Sequence, residues 1–278
     1  MRAVHAAVPA LALAIATTLV ACGGNSSTPA KESAAPAAAS GTPTAGAAAS
    51  GAGQKVDPAT AGTVTGVVAL DGPAPKNETI KMNADPVCSR EAKGAQVTEF
   101  YQVGPDGKTL GNVFVYVKDG LGNYVFDAPT TPMKLDQQGC RYTPHVFGVR
   151  VGQPVEIVNS DPTLHNIHAT PKVNQEFNSG QPIQGMKTTR TFTSREVMVP
   201  FKCDVHGWMN AYVGVLDHPY FAVTDASGKF ELKSLPPGTY TIEAWHEKLG
   251  AQTQTVTIGA KDTKDVTFTF KPAPAATN

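Results

Sequence analysis

The amino-acid sequence predicts an all-β fold, on three observations. Between residues 59 and 278, short runs rich in Val, Thr, Phe and Tyr recur, each bounded by Gly, Pro, Asn or Asp. β-Branched and aromatic side chains fit a pleated, half-buried surface, and those punctuators begin and end it. No stretch in that range sustains the 3.6-residue apolar period of an amphipathic helix, so long helices are not expected. Two runs near the C-terminus, 252–258 and 264–270, alternate Thr and Lys with Val and Phe. An antiparallel strand with one wet face does the same.

The first element along the chain is not part of that fold. After Arg2, a mostly apolar run extends from Ala6 to Ala21. It is shorter than the roughly 20 residues a spanning helix needs and suits a secretory signal, residues 1–21. It ends in LVACG at 19–23, small residues ahead of Cys22, which resembles the lipobox of bacterial lipoproteins. The resemblance implies cleavage before Cys22 and acylation of its thiol. Acyl chains bury about 0.8 kcal/mol per CH₂, so two or more anchor stably. The mature protein is then expected on the periplasmic side, attached to a membrane through lipid only. Gly23 stands where an aspartate would mark inner-membrane retention, which points to the outer membrane; the extracellular surface is the alternative. Residues 22–58 are Ala, Ser, Thr, Gly and Pro with few charges and no aromatic residue, the composition of a disordered tether.

Strands follow in order. GTVTGVVAL at 62–70 is closed by the turn signal Asp71-Gly72-Pro73, and VFVYV at 113–117 is bounded by glycines. Further strands are expected at 144–151, 154–158, 186–192, 197–201 and 211–216. A turn at 225–228 leads into 229–232, and LPPG at 235–238 leads into 239–245. The 23 basic and 23 acidic residues form no basic block, which excludes the footprint of a nucleic-acid binder. No apolar stretch after residue 22 is long enough to span a membrane.

The cysteines are Cys22, Cys88, Cys140 and Cys203. With Cys22 taken by lipid and the compartment oxidising, Cys88 and Cys140 are candidates for a disulfide. Cys203 then remains, unless it pairs with one of those two. It lies in FKCDVHGWM at 201–209 with His206 and Met209, between two expected strands; His165 lies upstream in NSDPTLHNIH at 159–168. A thiolate, two imidazoles and a thioether suit one copper ion cycling between Cu(I) and Cu(II). Zinc shares the Cys and His preference but has no use for the thioether.

Residues 136–217 resemble the type 1 copper proteins of the plastocyanin/azurin class, and the C-x2-H-x2-M loop is most similar to that of amicyanin. The first histidine sits in the family's D-x3-H-N context, Asp161 to Asn166. The strand pair YTPHVFGV at 142–149 and VGQPVEIVN at 151–159 looks like the family's opening. The resemblance implies that His165 and His206 are imidazole ligands, Cys203 the thiolate and Met209 the axial ligand. Asn166 would hold the loops together by hydrogen bonds, and Trp208 would cap the site or meet a partner. It also implies a one-electron carrier between redox proteins, with charge passing through an exposed edge of His206. His168, three residues after His165, would face away from the metal; His145 and His246 read as hydrogen-bonded surface histidines.

TDASGKFEL at 224–232 and LPPGTYTI at 235–242 resemble the last strands of the carboxypeptidase regulatory-like β-sandwich, related in shape to transthyretin. That family's opening strands match GTVTGVV at 62–68 and VFVYV at 113–117, far upstream. The expected fold is therefore all-β: a Greek-key cupredoxin sandwich, 136–217, inserted into a small transthyretin-like, carboxypeptidase regulatory-like sandwich made of 59–135 and 218–272, with a tail at 273–278. A tandem arrangement is the alternative. Residues 71–112 fit neither template, and a Cys88–Cys140 disulfide would clip the two sandwiches together. Catalysis is not expected, because the other histidines form no His-x-His pair for further copper centres. The rival readings are a non-redox copper-binding or copper-delivery module, or a binding lipoprotein with a metal-stabilised domain.

Overall fold

The computed structural model describes residues 53–272 apart from Lys93. The expected signal peptide, Cys22, most of the expected tether and the expected tail lie outside the described residues. The chain begins with β1 (Gly62–Leu70), which alternates buried and half-buried residues along its length. An excursion follows that contains α1 (Pro86–Glu91), β2 (Gln102–Val103) and β3 (Leu110–Gly111) before β4 (Phe114–Asp119). Nine strands come next: β5 (Met133–Gln137), β6 (Tyr142–Thr143), β7 (Val146–Arg150), β8 (Pro154–Asn159), β9 (His165–Ala169), β10 (Phe177–Gln181), β11 (Lys187–Thr191), β12 (Glu196–Lys202) and β13 (Asn210–Leu216). The last five are β14 (Phe221–Val223), β15 (Lys229–Leu235), β16 (Gly238–His246), β17 (Gly250–Ile258) and β18 (Thr263–Phe270).

The pairing sorts these strands into two sandwiches. One has sheets ordered β15-β1-β18 and β14-β4-β16-β17; the other has β10-β9-β12-β13-β7 and β11-β8-β5-β6. β1 thus pairs with strands from the far end of the chain, antiparallel to β15 and parallel to β18. The outer, carboxypeptidase regulatory-like sandwich is built from both ends of the folded chain, and the cupredoxin-like sandwich from its middle. The latter starts at β5, whose Met133 pairs with Val155, three residues ahead of the expected boundary at 136.

Each sandwich has its own core. Val64, Val68, Leu232, Ile242, Phe268 and others fill the outer one, and Leu135, Val155, Ile157, Phe192, Phe201 and Val213 belong to the inner. Where they meet, β7 and β13 pair in parallel with Gly148 opposite Gly214. A Cβ at Gly148 would lie 2.3 Å from the Phe221 ring, and one at Gly214 would lie 2.3 Å from the Phe114 ring. The two glycines therefore make a flat patch on which aromatic rings of the outer sandwich rest. Strands β2, β3, β5, β9, β10 and β14 were not among the expected ones, since their runs are short or mostly polar.

Candidate metal centre

The loop 203–209 joins β12 to β13 and is tied at its ends. Cys203 N–H donates to Met209 O at 3.1 Å, and Met209 N–H donates to His206 O at 2.8 Å. Within it, His206 N–H donates to Cys203 Sγ at 3.3 Å. β9 runs antiparallel to β12 with His168 opposite Lys202. That register carries His165 beyond the end of β12, beside the loop. There His165 Nδ1 lies 2.9 Å from His206 Nδ1, and Cys203 Sγ lies 3.8 Å from the same His206 nitrogen. The ligating atoms of His165, Cys203 and His206 lie within 4.8 Å of one another. Met209 is buried in the core cluster that contains Cys203.

Each imidazole has a carboxylate on its outer nitrogen. His165 Nε2 meets Asp161 Oδ2 at 2.9 Å, and His206 Nε2 meets Asp85 Oδ2 at 2.9 Å. An ionised carboxylate only accepts, so both Nε2 atoms carry hydrogen and two neutral rings would turn Nδ1 lone pairs toward each other and toward sulfur. Buried lone pairs in that arrangement call for a cation among them, either a proton or a metal. Protonation follows the same logic. Burial works against charge on His165, yet Asp161 and Cys203 outweigh it and push the imidazole up to about 9. Burial likewise raises the Cys203 thiol, but the His165 hydrogen bond and nearby N–H groups bring it below its ordinary value. His206 is held below its ordinary value, chiefly by burial. A metal ion entering this cluster would displace the His165 proton.

Asp161 owes its place to local chain geometry. Gly139 and Cys140, at φ +63° and +55°, are the central residues of the turn between β5 and β6. Two successive positive φ values give a turn whose twist matches the hairpin. Its N–H groups donate to the Asp161 carboxylate at 2.8 and 2.7 Å. Cys140 is also bonded to Cys88 in a disulfide, with Cα atoms 5.6 Å apart, while Cys203 is free and buried. The sulfurs of Cys88 and Cys140 each cluster with one imidazole and its carboxylate, but the disulfide occupies them.

The remaining expected residues are placed as follows. Asn166 Oδ1 accepts from Asp204 N–H at 2.6 Å, and its amide donates to Asn178 at 2.7 Å, so it joins β9 to the 203–209 loop and β10. Trp208 Nε1–H donates to Cys140 O at 3.0 Å, and its ring lies 5.1 Å from that of His206. His168 is turned to Asp204 and Glu176, each at 2.8 Å. Three expectations need correction. The edge of His206 is not exposed: the residue is 3% accessible, because α1 and its disulfide cover it. His145 and His246 are buried rather than on the surface, since they lie where the outer sandwich meets its neighbours. His145 donates to Asn210 O at 3.1 Å and bonds Glu247 through its other nitrogen. His246 packs on Tyr101 and is pushed down to about 4 by burial.

Sequence reasoning gave Asp161 only as part of a motif and missed Asp85. The signal for Asp85 is local: an Asp directly before Pro86 is a helix N-cap with proline at N1. What that cap would touch depends on tertiary packing.

Comparison with known proteins gives limited likenesses. The family model of the carboxypeptidase regulatory-like domain matches residues 209–271, beginning at the last residue of the 203–209 loop. Among solved structures, a copper-containing nitrite reductase from Thermus scotoductus SA-01 aligns at 18% identity and TM-score 0.30, over 55% of this chain and 28% of that one. The chain thus spans little more than a quarter of that enzyme. A novel purple cupredoxin from Nitrosopumilus maritimus aligns at 21% identity and TM-score 0.26, over 30% of this chain and 98% of that one. An oxidised amicyanin variant aligns at 19% and TM-score 0.28, over 36% and 97%. No curated protein sequence matches the chain. The fold assignment rests on the strand order and pairing above.

Proposed function

We propose that the chain is a lipid-anchored protein, facing the periplasm or the cell exterior, that holds one copper ion at His165, Cys203, His206 and Met209 and carries single electrons between redox proteins. The observation that carries this reading is the facing pair of Nδ1 atoms, 2.9 Å apart, beside the Cys203 sulfur. Copper is favoured over zinc because a thiolate with a methionine on the same loop suits a Cu(I)/Cu(II) couple. When bound, copper supplies that one-electron couple. The protein's own part is to fix the ligands before the metal arrives. Asp161 and Asp85 orient the two rings, and outer partners of this kind raise the basicity of the ligating nitrogen.

Depth of burial argues for a carrier over an enzyme. His165, Cys203, His206 and Met209 are between 0% and 3% accessible, so an electron reaches them more readily than a substrate. It also argues against a delivery role, which needs the ion to leave past a disulfide-held cover. Anchoring at Cys22 rests on the sequence; among the described residues no helix is long and apolar enough to cross a membrane.

The full chain loaded with Cu(II) is expected to show an intense thiolate-to-copper absorption band and narrow EPR hyperfine splitting, both lost in Cys203→Ser. A colourless protein that retains zinc, or that binds copper without the band, overturns the reading.

A further inference from the structure

On the reading of a copper site just given, we infer that Asp85 is a positioning residue for His206. Presented on a disulfide-held turn of helix, it locks that imidazole from outside and closes its edge, so that a redox partner meets the cover and not the ring.

Residues 71–112 belong to neither sandwich by sequence, yet they supply this contact. Both oxygens of Asp85 are committed. Oδ1 accepts the N–H groups of Val87 and Cys88 at 2.7 and 3.2 Å, capping α1. Oδ2 accepts the Thr163 hydroxyl at 3.0 Å and His206 Nε2–H at 2.9 Å. Four donors on one carboxylate leave it little freedom to rotate. The segment itself is fastened: Cys88 is bonded to Cys140, Ser89 Oγ–H donates to Met82 O at 2.9 Å, and Ile80 N–H donates to Gln96 O at 2.8 Å. Cys88 Sγ lies 3.5 Å from His206 Nε2. Trp208, tied to Cys140 O, closes a further side of the ring. The imidazole is therefore enclosed by a carboxylate, a disulfide and an indole.

Two effects follow from the geometry. A carboxylate on Nε2–H makes Nδ1 a stronger donor, which favours the more highly charged ion and so lowers the reduction potential. The enclosed edge also lengthens the path from ligand to surface, which slows electron exchange between two copies of the protein.

Asp85→Asn is the direct test, because Asn caps a helix as well as Asp and should leave α1 in place. In the copper-loaded full chain we expect the variant to lose about tenfold more Cu(II) than Cu(I) affinity, a rise of about 59 mV for one electron. Electron self-exchange should become at least several-fold faster. In the metal-free and Cu(I) proteins, nitrogen-15 NMR should show a slowly exchanging Nε2–H on His206 that disappears in the variant. Thr163→Val, which removes the competing donor to Oδ2, should move the potential in the opposite direction. That sign reversal would not arise from loosening alone, and it keeps the test open if Asp85→Asn folds poorly. An unchanged potential with an unchanged Nε2–H overturns the role of Asp85. A parent protein without the Cys203-dependent band would instead defeat the copper reading. The NMR result on metal-free protein would still decide for or against Asp85.

Discussion

The outer sandwich fills its interior with Val64, Val68, Leu232, Ile242, Phe268 and Phe270, whereas the inner sandwich buries Gln137, Asn159, Asp161, His165, Gln181 and His206 near the candidate metal centre. An apolar interior is held by area removed from water and gives way by degrees. A buried polar interior is held by matched donors and acceptors, and each lost partner leaves another group unsatisfied. The first core can be trimmed without touching an atom of the candidate metal centre. In the second, some of the atoms that hold the fold are also those of the candidate metal centre.

The largest effect that separates the two is a cavity in the dry core. Phe268→Ala should cost about 3–5 kcal/mol in denaturant unfolding while leaving the visible spectrum of the copper-loaded protein unchanged. A shifted spectrum would mean that the two cores are not independent. Next comes the joint removal of Cys88 and Cys140 by alanine, expected to cost about 2–4 kcal/mol. Unlike the first change, it should also expose His206 and alter the spectrum; stability loss without spectral change would contradict the cover described above.

Acid provides a smaller test, read on two buried histidines of the outer half. His218 and His246 are both held down to about 4 by burial, against an ordinary value of 6.5. Below pH 6.5 the unfolded chain takes up protons that these folded histidines refuse, so stability falls as pH falls from 6.5 toward 4. Between pH 6.5 and 5 the loss should be on the order of 1–2 kcal/mol for each. His145 runs the other way: burial lowers it, but Glu247 raises it further, so its contribution is present below pH 6.5 and lost as pH rises. The comparison is therefore made with His218→Asn/His246→Asn, whose side-chain oxygens can accept the N–H groups of Tyr220, Lys248 and Leu249 that the Nδ1 atoms now accept. Melting of that variant at pH 7 and pH 5 should differ less than that of the parent, and an equal difference would rule out these two groups as the cause. The smallest expected effect is Trp208→Phe, which loses one N–H···O bond to Cys140 and should cost about 1 kcal/mol.

Much of this was legible in the sequence where one physical signal acted alone. The alternating runs 252–258 and 264–270 are now parts of β17 and β18, because one face of each strand had to be apolar. The FKCDVHGWM loop drew attention to His206 and Cys203 by the concentration of metal-binding atoms. Legibility failed where partners are distant. In β9, HNIHA, the His165–Asp161 pair lies within a local motif, but Asn166 is buried because it meets Asn178 of β10 and Asp204 of the 203–209 loop, and no local pattern encodes that. Asp85 showed its capping role in the dipeptide Asp-Pro, but its second oxygen answers to residues about eighty and one hundred and twenty positions away. His145 and His246 read as surface residues because burial at a junction depends on both sides of it.

The pairing of β1 sets an order of events during synthesis. Its neighbours are β15 and β18, so the strand emerges early and waits until almost the whole chain has been made. The inner sandwich, contiguous from β5 to β13, has every one of its strands available sooner and can close first. Contacts between distant parts of a chain form slowly because the intervening loop must be ordered first. Here a folded insert brings the flanking segments near each other and shortens that loop in effect. The half that carries the candidate metal centre thereby serves as the template on which the other half is completed.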